Sequence, residues 1–596
     1  MTTWRAPLRD LRFVLHEVLH YAQHCRALGR EDVGPETVDS ILAECARFAE
    51  EVVAPLSAPA DVEGVRLVQG RLEVPAGFEE AQRRYREAGW GSLCWPREYG
   101  GQDLPESLAL TVSDLISGAC LAFRTYSILT DSAILALEAH ASRELRDTWL
   151  PPLVSAQWLA TMCLTEPQAG TDLALLRTRA EPAADGSWRI TGGKIFITAG
   201  EHELAANIAH LVLARLPDAP PGTRGISLFL VPKFLPDAAG APAERNAVVC
   251  TRVERKMGQH AAVTCALEFQ GARGFMIGEP HGGLKCMFTM MNHARLAVGL
   301  QALGQADRAY QLALAYAHER RQGRAPGDHS GAAASLLIEH ADVRRMLLTQ
   351  KALIEGGRLL ACFAAVALDT ARRHPEAAER KRAADLLAVL TPLVKAFLSE
   401  NAIESASLAI QVFGGHGYVA DTGVEQCYRD VRVTSIYEGT NAVQAFDLLG
   451  RKLLASGGRL ARLLGGLIGS FCTHYATCEE LTEFVPRLTG LLKEWTEVTE
   501  RLGERVARDP VEMEAAAVDY LQFTGYLCLA WCWARMAAVA IVRLRQQPAD
   551  AAFYEAKLAT ARFYFARLLP RAEAHVDALS SGAAPLLALS ADAFGF

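Results

Sequence analysis

The sequence predicts an α+β protein of several domains, and two observations lead to that prediction. At 596 residues the chain exceeds the size at which one hydrophobic core keeps growing, so more than one domain is expected. Apolar residues recur first with helical spacing, then in short β-type runs between turn signals, and then with helical spacing again. This order predicts a helical, a β and a second helical module, followed by one more helical stretch.

The domain boundaries are predicted where the spacing changes. We expect an N-terminal extension, an α-helical domain, a β domain, a second helical domain and an additional C-terminal helical domain, at residues 1–35, 36–159, 160–281, 282–459 and 460–596. The long helices of the last two domains begin after Gly282. Four of them are predicted at residues 287–322, 335–374, 378–413 and 441–455.

The β domain carries the clearest local signals. Strands are predicted at residues 208–216, 225–231, 247–255 and 264–269, and their number and spacing favour a small barrel or sandwich. Two further β-type runs, residues 188–191 and 194–198, flank Gly192 and Gly193. A glycine pair between two such runs predicts a β-hairpin that turns at the glycines.

Composition excludes several classes of protein. The net charge is −7 and no basic stripe with interleaved aromatic residues occurs, which argues against nucleic-acid binding. The fourteen cysteines form no C-x-x-C pair, and the N-terminus resembles no secretory signal, so we expect reduced thiols and a cytoplasmic protein. The most apolar late segment, residues 526–542, contains Arg535 and is short for a membrane span, which indicates a buried helix.

The stretch from Gln411 to Gln444 carries the strongest signals for chemistry. Three glycines, Gly414, Gly415 and Gly417, permit close approach of a ligand or a left-handed backbone. Further on, Glu438 lies among apolar and small polar neighbours. Burial beside apolar groups raises the pKa of a carboxyl towards neutrality, as a general base requires. A helix-capping or salt-bridged glutamate is the structural alternative.

Two other strings allow both a binding and a structural interpretation. The string T-E-P-Q-A-G-T-D, residues 165–172, is a turn with hydroxyls and exposed amides that suits an anionic or carbonyl-rich ligand, or it is simply a surface turn. Arg320, Arg321 and Arg324 surround Gly323, and their guanidinium groups suit a pyrophosphate. A solvated basic helix end is the alternative.

Cys472, His474 and Cys478 have no second cluster to complete a metal site, so no metal is predicted.

Together these strings resemble the signatures of the acyl-CoA dehydrogenases. The patterns Q-x-F-G-G-x-G-Y, R-D and I-Y-E-G-T follow one another between Gln411 and Thr440, and residues 165–172, 194–200 and 319–324 resemble three further signatures. Phe196 stands where the family has Trp, Ala199 where it has Asn, and Gly323 where it has an aromatic residue. The resemblance covers residues 36–460. The opening from Thr3 to Phe13 and the helical tail resemble a long bacterial branch that includes 3-methylmercaptopropionyl-CoA dehydrogenases.

The resemblance implies a fold, a reaction and partners. The fold would comprise an N-terminal helical domain, a middle β domain, a C-terminal four-helix bundle and the additional helical domain. Glu438 would remove the α-proton of an acyl-CoA while a hydride passes to N5 of FAD, giving a trans-2-enoyl-CoA. Electron-transfer flavoprotein would reoxidise the flavin. The acyl group stays open between 3-methylmercaptopropionyl and a fatty acyl chain. An acyl-CoA oxidase and an inactive scaffold of the same family are the alternatives.

The same resemblance assigns roles to individual residues. Contacts with FAD fall on Leu164, Thr165, Phe196, Thr198, Arg320, Gln322, Gln411, Gly414, Gly415 and Thr440. Contacts with the acyl-CoA fall on Thr171, Asn292, Arg295, Tyr437 and Gly439. Some family members carry their catalytic glutamate at the position of Ala294, so that alternative base is absent here. His293 is a further acid/base candidate, although the sequence shows no partner for it.

A homodimer is also implied, because Arg320, Gln411, Gly414 and Gly415 correspond to positions that reach the cofactor of the neighbouring subunit. The tail beyond residue 460 would cover the surface that shorter relatives use to form tetramers.

Overall fold

The structure, a computed structural model, describes residues 4–68, 71–327 and 333–595, and it forms two compact units. One unit combines Met1–Ala43 with Val298–Phe596, and the other is Glu44–Ala297. Helices Pro35–Phe48 and Gly283–Glu319 contain the two points at which the chain passes from one unit to the other. The α+β class predicted from the sequence is confirmed.

The unit Glu44–Ala297 begins with helices. Those of five residues or more that lie wholly within it are the π-helix Ala49–Val53 and the α-helices Ser57–Glu63, Phe78–Glu87, Glu106–Ala119, Leu121–Thr125, Ile128–His140 and Arg143–Val154. The segment also contains a two-stranded sheet formed by Arg66–Val68 and Arg71–Glu73. Nearly every side chain of Glu106–Ala119 is buried, which makes this helix the centre of the helical module.

The β module is a seven-stranded sheet, and five of its strands close into a ring. The seven strands are Trp158–Cys163, Arg179–Pro182, Trp188–Thr198, Asn207–Arg215, Ile226–Pro232, Val248–Val253 and Thr264–Ile277. The long strand Thr264–Ile277 pairs with both Trp188–Thr198 and Ile226–Pro232. Asn207–Arg215 then joins Ile226–Pro232 to Arg179–Pro182, which pairs with Trp188–Thr198. This closed order is that of a small barrel. Phe234–Pro236 and Pro242–Arg245 form a separate two-stranded sheet.

The hairpin predicted at Gly192 and Gly193 is wrong, because Trp188–Thr198 is one continuous strand. A Cβ atom at Gly192 would lie 2.7 Å from Oγ1 and 2.9 Å from Cα of Thr178. The glycine therefore allows another segment of backbone to approach the strand closely, which is a second reason for glycine inside a strand.

The other unit is helical. Its helices of eight residues or more are Ala341–Arg373, Ala377–Phe413, Val424–Val431, Arg459–His474, Val485–Arg508, Val511–Arg545, Ala551–Phe563 and Arg571–Ser581, together with the π-helix Asp447–Leu454 and the parts of the two shared helices. The shorter segments Leu8–Arg12, Phe13–Val18, Tyr21–Ala27, Asn441–Phe446, Tyr564–Leu568 and Ala584–Leu587 are also helical. The helix predicted from residue 335 begins at Ala341, because residues 335–337 pair with residues 320–323.

The additional C-terminal helices pack directly on the long helices that precede them. A Cβ atom at Gly525 would lie 2.3 Å from the ring of Phe397, so the two helices are in close contact there. The indole Nε1 of Trp533 donates to the carbonyl oxygen of Ala352 at 3.0 Å. Helix Val511–Arg545 thus covers parts of both Ala341–Arg373 and Ala377–Phe413.

Two segments, Ala377–Tyr418 and Val511–Arg545, are long and apolar enough to span a membrane by length and composition alone. Within their most apolar windows, however, 72% and 67% of the residues are buried inside the protein. Helices at the centre of a helical core meet the same criterion, and the contacts of Trp533 and Gly525 show that Val511–Arg545 is such a helix. This helix is longer than the segment 526–542 picked out in the sequence.

The N-terminal residues form part of the core of their unit. Leu11, Phe13 and Val14 are fully buried, whereas Thr3 lies outside the described residues. The buried carboxylate of Asp10 forms ion pairs with Arg358 at 2.5 Å and with Lys557.

This ion-pair cluster extends further into the helices. Lys557 also pairs with Glu355 at 2.8 Å, and Arg358 pairs with Asp307 at 3.3 Å. One buried charge cluster therefore ties the N-terminal segment to three helices of the unit, Gly283–Glu319, Ala341–Arg373 and Ala551–Phe563.

Candidate active site

The predicted site residues lie in both units. Leu164, Thr165, Thr171, Phe196, Thr198, Asn292 and Arg295 belong to Glu44–Ala297. Arg320, Gln322, Gln411, Gly414, Gly415, Tyr437, Glu438, Gly439 and Thr440 belong to the other unit.

A buried ion pair brings two of the predicted strings together. Nζ of Lys194 lies 2.8 Å from Oε1 of Glu166 and donates to the carbonyl oxygen of Leu164 at 3.0 Å. The backbone N–H of Ile195 donates to the carbonyl oxygen of Thr165 at 2.9 Å. The turn that begins at Leu164 is therefore fixed against the strand that carries Phe196 and Thr198.

Glu166 is held in its charged form by many donors. Burial alone would raise its pKa, but the charge of Lys194 and hydrogen bonds from Lys194, Thr178 and the N–H of Arg177 outweigh burial and hold the pKa at about 2. The hydroxyl of Thr178 donates at 2.6 Å. Glu166 is therefore ionised near neutral pH, and its role is to hold the turn in place rather than to exchange a proton.

Phe196 lies at a bulge in the barrel wall and its ring is exposed. Ile195 and Phe196 together stand opposite the single residue Ala266, since Lys194 pairs with Leu267 and Ile197 with Cys265. Phe196 has a φ of 59°, a left-handed conformation that is uncommon for a bulky residue. Bulges of this kind redirect a side chain and are frequent beside active sites. The side chain is 60% exposed, so it is not the core strand residue that the strand pattern alone would indicate.

The remaining predicted positions of this turn and strand are accessible to different degrees. Leu164, Thr165 and Thr198 are half-buried, and Thr171 is exposed. Next to Thr171, Asp172 accepts a hydrogen bond from the N–H of Ala174 at 2.9 Å and so caps a short 3₁₀ helix. The turn interpretation of residues 165–172 is correct, and its hydroxyl groups lie where a ligand can reach them.

His293 has partners that the sequence did not reveal. Its Nε2 pairs with Glu106 at 3.0 Å and its Nδ1 forms a hydrogen bond with Ser132 at 2.9 Å. Both ring nitrogens are therefore engaged in the interior, which disfavours the acid/base role considered for His293. Nearby, the buried Arg295 donates to Oδ1 of the exposed Asn292 at 3.4 Å.

Glu438 lies in a short loop between the 3₁₀ helix Arg432–Ser435 and helix Asn441–Phe446. Its side chain is half-buried, and its φ of 56° is left-handed. Nε2 of Gln444 donates to the carbonyl oxygen of Glu438 at 3.2 Å. The hydroxyl of Tyr437 donates to Oε1 of Gln301 at 2.7 Å. The loop is therefore held by side chains from two helices, as a precisely placed carboxylate requires.

Thr440 caps the helix that follows Glu438. Its side-chain oxygen accepts a hydrogen bond from the N–H of Val443 at 3.4 Å, which satisfies one of the unpaired donors at a helix N-terminus. The capping role considered for Glu438 thus belongs to Thr440. A hydroxyl can accept one hydrogen bond and still donate its proton, so this cap is compatible with the predicted contact between Thr440 and the cofactor.

The segment with the predicted pyrophosphate arginine is exposed and ordered. The carbonyl oxygen of Arg320 accepts from the N–H of Leu337 at 2.9 Å, and the N–H of Gln322 donates to Ser335 at 3.1 Å. The side chains of Arg320 and Gln322 are exposed. Both side chains thus lie at the surface beside a short antiparallel pairing. This exposure fits a pyrophosphate site and a solvated helix end equally well.

The glycine-rich segment is also presented outward. Gln411, Gly414 and Gly415 are exposed, and within the part of the chain that the structure describes a Cβ atom at either glycine would meet no heavy atom of a non-adjacent residue within 4 Å. Gly417 differs, because a Cβ atom there would lie 2.4 Å from the carbonyl oxygen of Ile410. Tyr418 beside it is 91% exposed. Gly417 thus serves the local turn, and the surface around Gly414 is open to another molecule.

Sequence reasoning missed the residues that hold the site in place. Glu166 and Lys194 lie within the segments 165–172 and 194–200 that the sequence singled out. A lysine at an inward-facing position of a predicted strand needs a buried partner, and this could have indicated the ion pair. No local pattern pointed to Gln301 or Gln444 as supports of the loop, since Gln301 is 136 positions from Tyr437 in the sequence.

Within the residues that the structure describes, no three His, Cys, Asp or Glu side chains come together in a way that would hold a metal ion. The exposed and half-buried groups described above suit an organic ligand. An exposed aromatic ring is suited to a flat ligand, an exposed arginine to an anion, and a half-buried carboxylate in a fixed loop to proton transfer.

Family models match nearly the whole chain. Residues 35–157, 161–272 and 281–454 match the N-terminal, middle and C-terminal domains of acyl-CoA dehydrogenase, and residues 465–590 match a domain described as acetyl-CoA dehydrogenase C-terminal like. These matches include all of the predicted site residues.

Individual proteins agree with the family models. The chain is 40% identical to the 3-methylmercaptopropionyl-CoA dehydrogenase of Ruegeria pomeroyi, covering 99% of this chain and 100% of that protein. It is 34% identical to the broad-specificity linear acyl-CoA dehydrogenase FadE5 of Mycobacterium tuberculosis, covering 96% of each. The crystal structure of an acyl-CoA dehydrogenase complexed with FAD from Bacillus anthracis has a TM-score of 0.74 at 20% identity, covering 92% of this chain and 88% of that one. That last similarity concerns the fold.

Proposed function

Since this chain belongs to the acyl-CoA dehydrogenase family, we propose that it is an FAD-dependent dehydrogenase that converts an acyl-CoA thioester to the trans-2-enoyl-CoA. The observation that carries the proposal is the placement of Glu438. Its carboxylate is half-buried in a loop that side chains of two helices hold in a left-handed conformation. Such a backbone is uncommon for glutamate, and strained residues of this kind cluster at active sites.

The residues present are compatible with FAD. The exposed ring of Phe196 at the strand bulge offers a flat apolar surface. Thr198 follows Phe196 by two residues, and Thr165 is paired through its backbone with Ile195, the residue before Phe196. Arg320 and the open backbone at Gly414 and Gly415 suit a diphosphate. FAD, when bound, would accept the hydride that leaves the β-carbon.

In the proposed reaction, the chain itself moves one proton and stabilises one charge. The carboxylate of Glu438 accepts the proton from the α-carbon of the thioester. The backbone N–H of Glu438 donates to the thioester carbonyl oxygen, where negative charge develops. Fixed donors of this kind stabilise such a charge strongly, because they need no reorganisation during the reaction. Thr171, Asn292, Arg295, Tyr437 and Gly439 are the proposed contacts of the acyl-CoA.

The acyl group is proposed to be 3-methylmercaptopropionyl or an unbranched fatty acyl chain. The two relatives described above carry these two specificities in their names. Electrons would pass from the flavin to electron-transfer flavoprotein.

A spectrum and a substrate panel test this function. We expect the purified protein to absorb at about 450 nm, as oxidised flavins do, and to lose that absorbance when an acyl-CoA is added without oxygen. The panel contains acyl-CoAs from short to long and 3-methylmercaptopropionyl-CoA. Reduction of electron-transfer flavoprotein with little oxygen consumption supports a dehydrogenase. Rapid oxygen consumption would indicate an acyl-CoA oxidase, and a colourless protein that stays inactive when FAD is added would indicate an inactive scaffold.

Replacement of Arg320 by Ala is expected to weaken retention of FAD, because the variant loses the charge proposed to bind the diphosphate. The flavin-to-protein ratio after gel filtration measures this. Arg451→Ala is the control, since Arg451 is a surface arginine of the same unit outside the proposed site. An Arg320→Ala protein that keeps as much flavin as the control would refute the contact.

The protein is also expected to be a homodimer. Gly414, Gly415 and Tyr418 are exposed in the single chain, as expected for a surface that meets a second subunit. The C-terminal helix Val511–Arg545 covers parts of two long helices that would otherwise be available for further association. Light scattering should give the mass of two chains. A stable monomer or a tetramer would contradict this expectation.

A further inference from the structure

The loop that carries Glu438 has an unfavourable backbone. Glu438 has a φ of 56° and the next residue, Gly439, a φ of 88°, so two successive residues are left-handed. Glycine adopts this conformation readily, but glutamate does not. Contacts from outside the loop must therefore hold Glu438 in place, since a loop free to relax would turn the carboxylate elsewhere.

Side chains from three helices help to fix this loop, and the one from helix Asn441–Phe446 contacts Glu438 itself. Tyr437 is fixed through its hydroxyl by Gln301 on one side. On the other side, Asn441 is fixed by the buried Lys395, whose Nζ donates to its Oδ1 at 2.8 Å. Between them, Nε2 of Gln444 donates to the carbonyl oxygen of Glu438 at 3.2 Å and lies 3.5 Å from that of Gly439. Gln444 thus spans both left-handed residues.

Gln444 is built into the core. Its side chain is 0% exposed, and it lies on helix Asn441–Phe446, whose N-terminus Thr440 caps. A buried amide on a capped helix has little freedom to move. Its hydrogen bond therefore fixes the direction of the peptide unit that follows Glu438, and with it the direction of the Cα–Cβ bond of Glu438.

We propose that Gln444 is a positioning residue, which orients the carboxylate of Glu438 for removal of the α-proton. This inference rests on the proposed role of Glu438 as the base. Gln444 contacts neither the acyl-CoA nor the flavin in this account, and it acts through the backbone of Glu438. Small displacements of a reacting group cost about 10²-fold in rate, so the loss of this hydrogen bond should be visible in turnover.

The first test replaces Gln444 by Met, which has similar length and volume but no amide donor, and by Ala. We expect kcat per bound flavin to fall by about tenfold or more in both, with little change in KM, because the lost contact serves proton removal rather than binding. Gln444→Met is the decisive variant, since it fills the space that Gln444→Ala leaves empty. A Met variant with native kcat would overturn the inference.

Gln350 provides a matched control. It is also 0% exposed and lies in the same unit, and its Nε2 donates to a backbone carbonyl, that of Met346, at 3.2 Å. In both glutamines, Oε1 has no hydrogen-bond partner within the part of the chain that the structure describes. Gln350→Met should leave kcat per bound flavin unchanged. An equal loss in Gln350→Met and Gln444→Met would show a general effect of buried glutamines and would overturn the inference.

A double-mutant cycle separates positioning from general damage. If Gln444 acts through Glu438, then Gln444→Met should cost less than about twofold in a protein that already carries Glu438→Gln, because residues that act as one unit are not additive. The same fold-loss in both backgrounds would contradict positioning. A native protein that oxidises no acyl-CoA would instead refute the proposed function, and an active native protein with a fully active Gln444→Met variant would refute the positioning role alone.

Discussion

The Glu438→Gln variant is expected to retain its flavin and to reduce it at least ~10²-fold more slowly than the native protein on addition of acyl-CoA. Glutamine keeps the shape of the side chain but cannot accept a proton at neutral pH. The backbone contacts of residue 438 with Gln444 do not depend on the carboxylate, so the loop should keep its conformation. Stopped-flow absorbance of the flavin gives the rate, and the spectrum before mixing gives the flavin content.

Glu404→Gln is the matched control for this variant. Glu404 is also a half-buried glutamate of the same unit, and it lies on helix Ala377–Phe413, where it pairs with Arg571 at 2.8 Å. Its replacement should leave the rate of flavin reduction close to native. If Glu438→Gln turned over at the rate of this control, another group would have to be the base.

The Asp10→Ala variant is expected to lose about 3–5 kcal/mol of unfolding free energy, because it leaves the buried charges of Lys557 and Arg358 without their shared carboxylate. The loss should appear in the unit formed by the N-terminal segment and residues 298–596. Urea denaturation followed by the helical circular dichroism signal measures it. Asp342→Ala, which removes a carboxylate that is 72% exposed, should change stability by less than about 1 kcal/mol.

The same cluster predicts a dependence on acid. Burial alone would raise the pKa of Asp10, but the charges of Lys557 and Arg358 outweigh burial and hold the pKa at about 2, below its usual 3.8. Because the folded-state pKa is lower than the unfolded one, Asp10 stabilises the fold fully above about pH 4, and this contribution is lost as the pH falls towards 2. Asp10→Ala should therefore lose less stability than the native protein between these pH values. Parallel acid profiles of the two proteins would contradict this account of the cluster.

The fold could be predicted from the sequence wherever periodicity dominates. The long helices followed from the spacing of their apolar residues, and four of the strands followed from short apolar runs between turn signals. The hairpin at Gly192 was wrong for a physical reason. Glycine serves a turn and a close approach equally well, and the partner that decides between them, Thr178, comes from another segment.

The sequence predicts which residues carry the chemistry of the candidate site, but it does not show which residues hold them in place. Motifs are local, so Glu438, Arg320 and the strand of Phe196 were recognisable from neighbouring residues. Their supports are long-range: Glu166 meets Lys194 across 28 positions, and Glu106 meets His293 from a different helix. The exposed bulge at Phe196 depends on the pairing of two strands, which the sequence of either strand alone does not contain.

The central claim is that a proton leaves the α-carbon to Glu438 while a hydride leaves the β-carbon. Anaerobic flavin reduction with acyl-CoA deuterated at either carbon tests it directly. We expect deuterium at either position to slow the reduction, and one enoyl-CoA to form for each flavin reduced. Reduction that is insensitive to deuterium at the α-carbon, or that yields no enoyl-CoA, would contradict the claim.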